Sequence, residues 1–212
     1  QKDHRKYDRR VRYRFMEEWI GRSGAFYDRG FVERGGQIGI DIMRPRRAMV
    51  IRFVRYSELS ATQEGQRRLE EMESAVRHYA DREEILYLRE PPRQICLLEA
   101  SSDEKIRRIA ESVQALLRDK YGERVVIGVD SADGGSIHIN QICKEAERAA
   151  EAGGLSDIVY YKDLYVELFL RDVTAETQVE YLDRLFPGVP EEELEAYMKL
   201  IEVFIEEEGS VT

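Results

Sequence analysis

A proline pair and four arginines are the residues of this sequence best placed to do chemistry. Pro91-Pro92-Arg93-Gln94-Ile95 joins two short apolar runs, residues 85–88 and 95–98. Each run is long enough for a strand, and prolines cannot donate to a ladder, so the turn of a hairpin must fall on them. Arg89 and Arg93 flank that turn, while Arg52 and Arg55 lie in or just after a third apolar run at 48–54. If these runs pair, Arg52, Arg55, Arg89 and Arg93 form a cationic cluster suited to a nucleotide or a small acid. The plainer reading is of surface arginines at strand ends.

Other candidates are weaker. Gly35-Gly36-Gln37-Ile38-Gly39 has the glycines of a phosphate loop, but it follows no clear strand and lacks the Lys-Ser/Thr that would complete one. It reads as a helix end or loop. Asp133-Gly134-Gly135-Ser136 reads as a turn, and Glu206-Glu207-Glu208 as a solvated helix end rather than a metal site. Cys96 and Cys143 have no Cys or His at ligand spacing, so both read as small buried hydrophobes, as suits a reducing cytoplasm. His4, His78 and His138 are scattered. With no Ser/His/Asp, Cys/His or carboxylate-pair pattern visible, we assign no catalytic residue and no metal ligand, and expect no cofactor.

Those residues must be carried by elements that the periodicity defines. Helices are expected over residues 5–20, 24–38 and 62–79, over 103–120 with Asp103 as cap, and over 139–153. Strands are expected at 48–54, at the two hairpin runs, at 125–129 and at 158–161. The order from the first strand is strand, helix, strand, strand, helix, strand, helix, strand. That pattern predicts an α+β, split βαβ arrangement, its mainly antiparallel sheet backed by helices. Residues 164–170, 174–185 and 191–207 then read as helices, giving an all-helical ending.

At 212 residues the chain can bury a sizeable core, and 42% hydrophobic with 35% charged residues is a globular composition. No apolar run is long enough to span a membrane, and none resembles a signal peptide. The net charge of −9 conceals an asymmetry: residues 1–56 hold fifteen Lys/Arg against seven Asp/Glu, the remainder eighteen against thirty-five. The arginines of the first helix interleave with apolar positions, which favours a solvated or helix-partnering face over a nucleic-acid surface. The acidic remainder argues against DNA contact within these residues.

The element order and the strand-turn-strand at 85–99 resemble a GGDEF-type nucleotidyl cyclase fold. In that family Gly-Gly-Asp/Glu-Glu-Phe occupies the hairpin turn, where the glycines admit the nucleotide and an acid holds metal. The matching residues are Pro91, Pro92, Arg93, Gln94 and Ile95. Prolines remove backbone donors and add bulk there, and Arg93 puts a cation where Mg²⁺ needs an oxygen. The family's second metal carboxylate lies near the end of the first strand, where this chain has Arg52. The resemblance therefore implies a degenerate domain, without cyclase activity.

A narrower resemblance rests on Phe15-Met-Glu-Glu-Trp19, Phe31-Val-Glu-Arg-Gly-Gly-Gln-Ile-Gly-Ile40, Val126-Ile-Gly-Val-Asp130, Ile142-Cys-Lys-Glu-Ala-Glu-Arg-Ala-Ala150, Val159-Tyr-Tyr-Lys-Asp-Leu164 and residues 197–212. In these stretches the chain is similar to the carbohydrate diacid regulators, the CdaR/PucR group of bacterial transcription factors. Such proteins place a degenerate GGDEF-like domain between an N-terminal sensor and a C-terminal helix-turn-helix. The resemblance implies linker helices over 1–44, the degenerate domain over 45–162, and a helical segment over 163–212. Gln1 in place of Met, and Glu208-Gly-Ser-Val-Thr212 as an entry to a further helix, lead us to expect a piece of a longer chain. A homodimer is then expected, with a sugar diacid or similar effector and DNA both bound by segments outside this sequence, and no membrane partner.

Overall fold

In a computed structural model, residues 2–24, 26–132, 134–153 and 157–164 are described. The chain divides into residues 1–165 and residues 166–212, and all described residues belong to the first. The helices expected over 164–170 (from its second residue on), 174–185 and 191–207, the closing stretch 197–212 and Asp133 fall outside the described residues.

Twelve elements follow in order: α1 (Lys2–Gly21), α2 (Arg29–Gln37), β1 (Arg46–Phe53), α3 (Tyr56–Ser60), α4 (Gln63–Arg82), β2 (Leu86–Glu90), β3 (Arg93–Glu99), α5 (Asp103–Tyr121), β4 (Val125–Val129), α6 (Ile139–Ala152), β5 (Ile158–Tyr160) and a 3₁₀ turn (Tyr161–Asp163). The strands form one sheet in the order β2-β3-β1-β4-β5. β1 runs antiparallel to both β3 and β4, β2 antiparallel to β3, and β4 parallel to β5. β1 and β2 are thus parallel with β3 inserted between them, and β3 and β4 are parallel with β1 inserted. This is the split βαβ arrangement, α+β with a mixed sheet. The continuous apolar runs of β1 and β4 follow from their interior places, covered on both faces.

Strand alternation divides the core in two. Met49, Ile51, Phe53, Cys96, Leu98 and Ile127 face α4 and α5, meeting Leu69, Met72 and Val76 of the first and Ile106, Val113 and Leu117 of the second. Ala48, Val50, Leu88, Ile95 and Leu97 face α6, α1 and α2, meeting Ile142, Ala146, Phe15, Trp19 and Phe31. On this second face α6 lies very close to β4. A Cβ at Gly128 would stand 2.0 Å from the Ala146 carbonyl oxygen. Only glycine permits that approach. Residues 15–42 thus contribute directly to the core beside the sheet. Both cysteines are buried and free, and burial pushes the Cys96 thiol up to about 12.

Several local expectations need correction. The second helix starts at Arg29 rather than near 24, because Gly24 adopts φ 118° and Asp28 caps the helix by accepting from the Phe31 N–H at 2.9 Å. Ser102, not Asp103, caps α5, accepting from the Lys105 N–H. The carboxylate of Asp103 is drawn instead to Arg47 and Lys162. The hairpin strands run further into the polar residues than their apolar runs suggest, leaving Pro91-Pro92 alone as the turn.

Candidate functional site: the hairpin tip

The register decides which of the expected site residues meet. Arg52 of β1 stands directly opposite Arg93 of β3, and Arg93 opposite Glu90 of β2. Because side chains alternate along a strand, Arg52, Arg93 and Glu90 project to the α6 face, with Val50 and Ile95. Arg89 stands opposite Gln94 and projects to the α4 face. Arg55 lies beyond the end of β1. The four arginines therefore do not form one cluster. Arg52 and Arg93 come together, and Arg55 and Arg89 are held elsewhere.

Each is met by a carboxylate or carbonyl. Arg93 donates from Nε and Nη2 to Glu90 Oε2 at 3.0 and 2.9 Å, and its Nη1 pairs with Glu147 of α6. Arg52 donates from Nη1 to the Ala150 carbonyl at 3.4 Å. Arg55 forks onto Glu123, whose side chain is fully buried, at 3.1 and 2.7 Å. Arg89 pairs with Glu73 of α4. Burial pushes the Glu73 carboxyl up, against the pull of Arg89. Of the turn residues, Pro91 and Pro92 are exposed, while Gln94 and Ile95 are buried. Gln94 Oε1 accepts from the Tyr87 hydroxyl at 2.9 Å.

Above the tip lies an open cleft of about 520 Å³ between the end of β1, the Pro91-Pro92 turn and α6, lined by Arg52, Arg93, Glu90, Glu147, Glu151 and Tyr56. A divalent metal of the kind the fold implies needs a cage of oxygens. Two guanidinium groups line this cleft, and of its three carboxylates Glu90 and Glu147 are already turned onto Arg93. The donor set does not fit Mg²⁺. Among the described residues no group of three or more His, Cys, Asp or Glu is placed to hold a metal.

A second charged constellation occupies the other end of the sheet. Arg47, 1% exposed, donates from Nε to Asp130 Oδ1 at 2.7 Å, from Nη2 to the Asp130 carbonyl at 3.2 Å, and from Nη1 to Asp103 Oδ1 at 3.0 Å. Asp130 also accepts from the Ala48 and Ala132 N–H groups. Asp103 in turn pairs with Lys162. The hydrogen bond from Lys162, helped by Arg47, holds the Asp103 carboxyl below its usual range. Sequence reasoning missed this network. Its signal was present: Arg46-Arg47 opens an apolar strand that must be interior, and buried charges need partners.

Fold and site together define an α+β scaffold with a mixed five-stranded sheet, whose β2–β3 turn is Pro91-Pro92 with Arg93 directly after it. Residues 23–152, more than half of the chain, match the GGDEF-like domain family, and the protein belongs to it. Among solved structures, the chain is similar to an EAL/GGDEF domain protein from M. capsulatus, at 18% identity over 56% of this chain and 85% of that one, with a TM-score of 0.46. It is also similar to the GGDEF domain of DgcB from Caulobacter crescentus in complex with c-di-GMP, at 13% identity over 66% and 98% of the two chains, TM-score 0.46. A third likeness is to the active GGEEF domain of a diguanylate cyclase from Vibrio cholerae, at 13% identity over 61% and 88%, TM-score 0.45. No curated protein matches.

Proposed function

We propose that this GGDEF-like domain is non-catalytic and serves as the central module of a bacterial transcriptional regulator of the carbohydrate diacid regulator kind. The observation that carries the non-catalytic reading is the placement of Arg52 opposite Arg93 at the hairpin tip, on the face that α6 covers. Phosphoryl transfer relies on metal-bridged phosphates and neutralised charge. Two guanidinium groups facing each other, one locked between Glu90 and Glu147, offer no metal ligand.

The regulatory part of the reading is supported by the sequence stretches from Phe15 to Leu164 and by the free, buried cysteines, which suit a reducing cytoplasm. In this account an effector such as a sugar diacid and the DNA are both bound by segments outside this sequence. The domain passes a change in packing from one to the other. Two-fold DNA readers need a fixed half-site spacing, so the working assembly is a homodimer. Among the described residues no helix is long and apolar enough to cross a membrane, and no membrane partner is proposed.

The second reading, a nucleotide- or small-acid-binding regulatory module, draws on the cleft over Arg52 and Arg93. Calorimetric titration with GTP, cyclic di-GMP and sugar diacids, each with Mg²⁺, separates the two. No heat with any of them is expected. Heat from one, abolished by Arg93→Ala, would make the altered hairpin a live regulatory site. For the regulator itself, footprinting that shows a monomer on a single half-site would overturn the dimeric account.

A further inference from the structure

We propose that the seam between α1, α4 and the free edge of β2 is a binding site for a small monocarboxylate with an apolar body. The seam is a cavity of about 270 Å³. That lies just below the usual span of small-molecule pockets, roughly 300–1,000 Å³, so the ligand is small. Its floor is apolar: Met16 of α1, 4% exposed, and Ile85, 7% exposed, with Leu86 and the ring of Tyr87 beside them.

The rim is cationic. Arg12 of α1, Arg77 of α4 and Arg89 of β2 surround the opening. Three carboxylates bear on it: Glu73 pairs with Arg89, Asp81 of α4 lies on the lining, and Glu17 of α1 stands beside the Tyr13 hydroxyl. Arg12 and Arg77 form no ion pair among the described residues, Arg77 donating only to Ser74 Oγ at 3.2 Å. These two guanidinium groups, without an ion-pair partner among the described residues, stand over an apolar floor, which matches a single carboxylate attached to a hydrocarbon or aromatic group.

The strand edge adds backbone donors. β2 is the outermost strand, and the Tyr13 hydroxyl donates to the Arg89 carbonyl at 2.6 Å. That carbonyl therefore points away from β3. Ladder alternation turns the Arg89 N–H and the Tyr87 N–H the same way, into the seam. N–H groups beside guanidinium groups are the donor set that carboxylates accept most strongly. A ligand seated there would touch α1 on one wall and α4 and β2 on the other, tying the N-terminal helix to the core. This site is separate from the hairpin-tip cleft, and its test is independent of that reading.

The test follows the Met16 methyl signal by NMR in ¹³C-methyl-methionine protein, assigned with Met16→Leu. The probes are sodium benzoate and sodium hexanoate, with benzyl alcohol as the uncharged control. Saturable shifts with both carboxylates and none with the alcohol are expected, at dissociation constants near or below about 1 mM. Arg77→Gln, on an exposed position, should weaken binding about tenfold by removing a charged donor. Arg67→Gln, on the same helix outside the seam, should leave it unchanged. No shift, an equal response to benzyl alcohol, or undiminished binding in a folded Arg77→Gln protein would overturn the proposal.

Discussion

Arg47 and Arg52 lie on one strand and meet opposite environments. Arg47 points to the α4/α5 face, is almost wholly buried, and donates to the side chains of Asp130 and Asp103 and to two backbone carbonyls. Arg52 points to the α6 face, is half-buried, and stands across from a second arginine at an open cleft. At one end of the sheet charge is a structural device that joins β1, β4, α5 and the 3₁₀ turn. At the other it lines accessible space. The tip end holds buried carboxylates as well, Glu73 on Arg89 and Glu123 on Arg55, but Arg52 and Arg93 themselves open onto the cleft.

The largest expected effect comes from breaking the buried end. Arg47→Met leaves Asp130 uncompensated in the core, which costs about 3–5 kcal/mol. Urea denaturation should show that loss, and adding Asp130→Asn should recover part of it. Gly128→Ala comes next, because a Cβ placed 2.0 Å from the Ala146 carbonyl oxygen forces α6 outward. A cost of about 1–3 kcal/mol is expected from such overpacking. Because α6 carries Glu147 and Ala150, the same variant should alter the Arg52 and Arg93 side-chain signals at the tip.

Acid should separate the two ends more gently. Asp103 titrates below its unfolded value in the folded protein, so its contribution is present above about pH 4 and fades as pH falls through the lower folded pKa. Denaturation midpoints measured from pH 5 downward should decline less steeply in Asp103→Asn. On α1, hydrogen bonds from Arg34 and Arg22 bring the Glu18 carboxyl down to about 2, and Arg34→Ala should raise its NMR midpoint. The smallest effect belongs to the tip. Arg93→Gln removes partly exposed pairs to Glu90 and Glu147, and stability should change by no more than about 1 kcal/mol. A loss as large as that of Arg47→Met would erase the contrast between the two ends.

Much of the scaffold is legible in the sequence because its signals are local. The proline pair fixes the turn, the β-branched run at 125–129 reproduces β4 residue for residue, and the 3.6-residue periodicity of 103–120 recovers α5. What escapes is long-range partnership. Whether Arg52 and Arg89 share a face depends on strand register, which no single run reveals. The choice between Ser102 and Asp103 as helix cap depends on Arg47 and Lys162, both more than fifty residues away in sequence. Of the carboxylates that hold Arg93, Arg55 and Arg89, only Glu90 is a close sequence neighbour; Glu147, Glu123 and Glu73 come from α6, the α5–β4 loop and α4. The residues that set the character of the tip were readable, and the pairs that neutralise them were not.

Whether the hairpin tip supports cyclase chemistry is decided by incubating the purified protein with GTP and Mg²⁺, then Mn²⁺, and separating the products by ion exchange. Neither cyclic di-GMP nor pyrophosphate is expected above a protein-free blank if the domain is non-catalytic as proposed. Product formed in proportion to protein concentration would contradict that proposal.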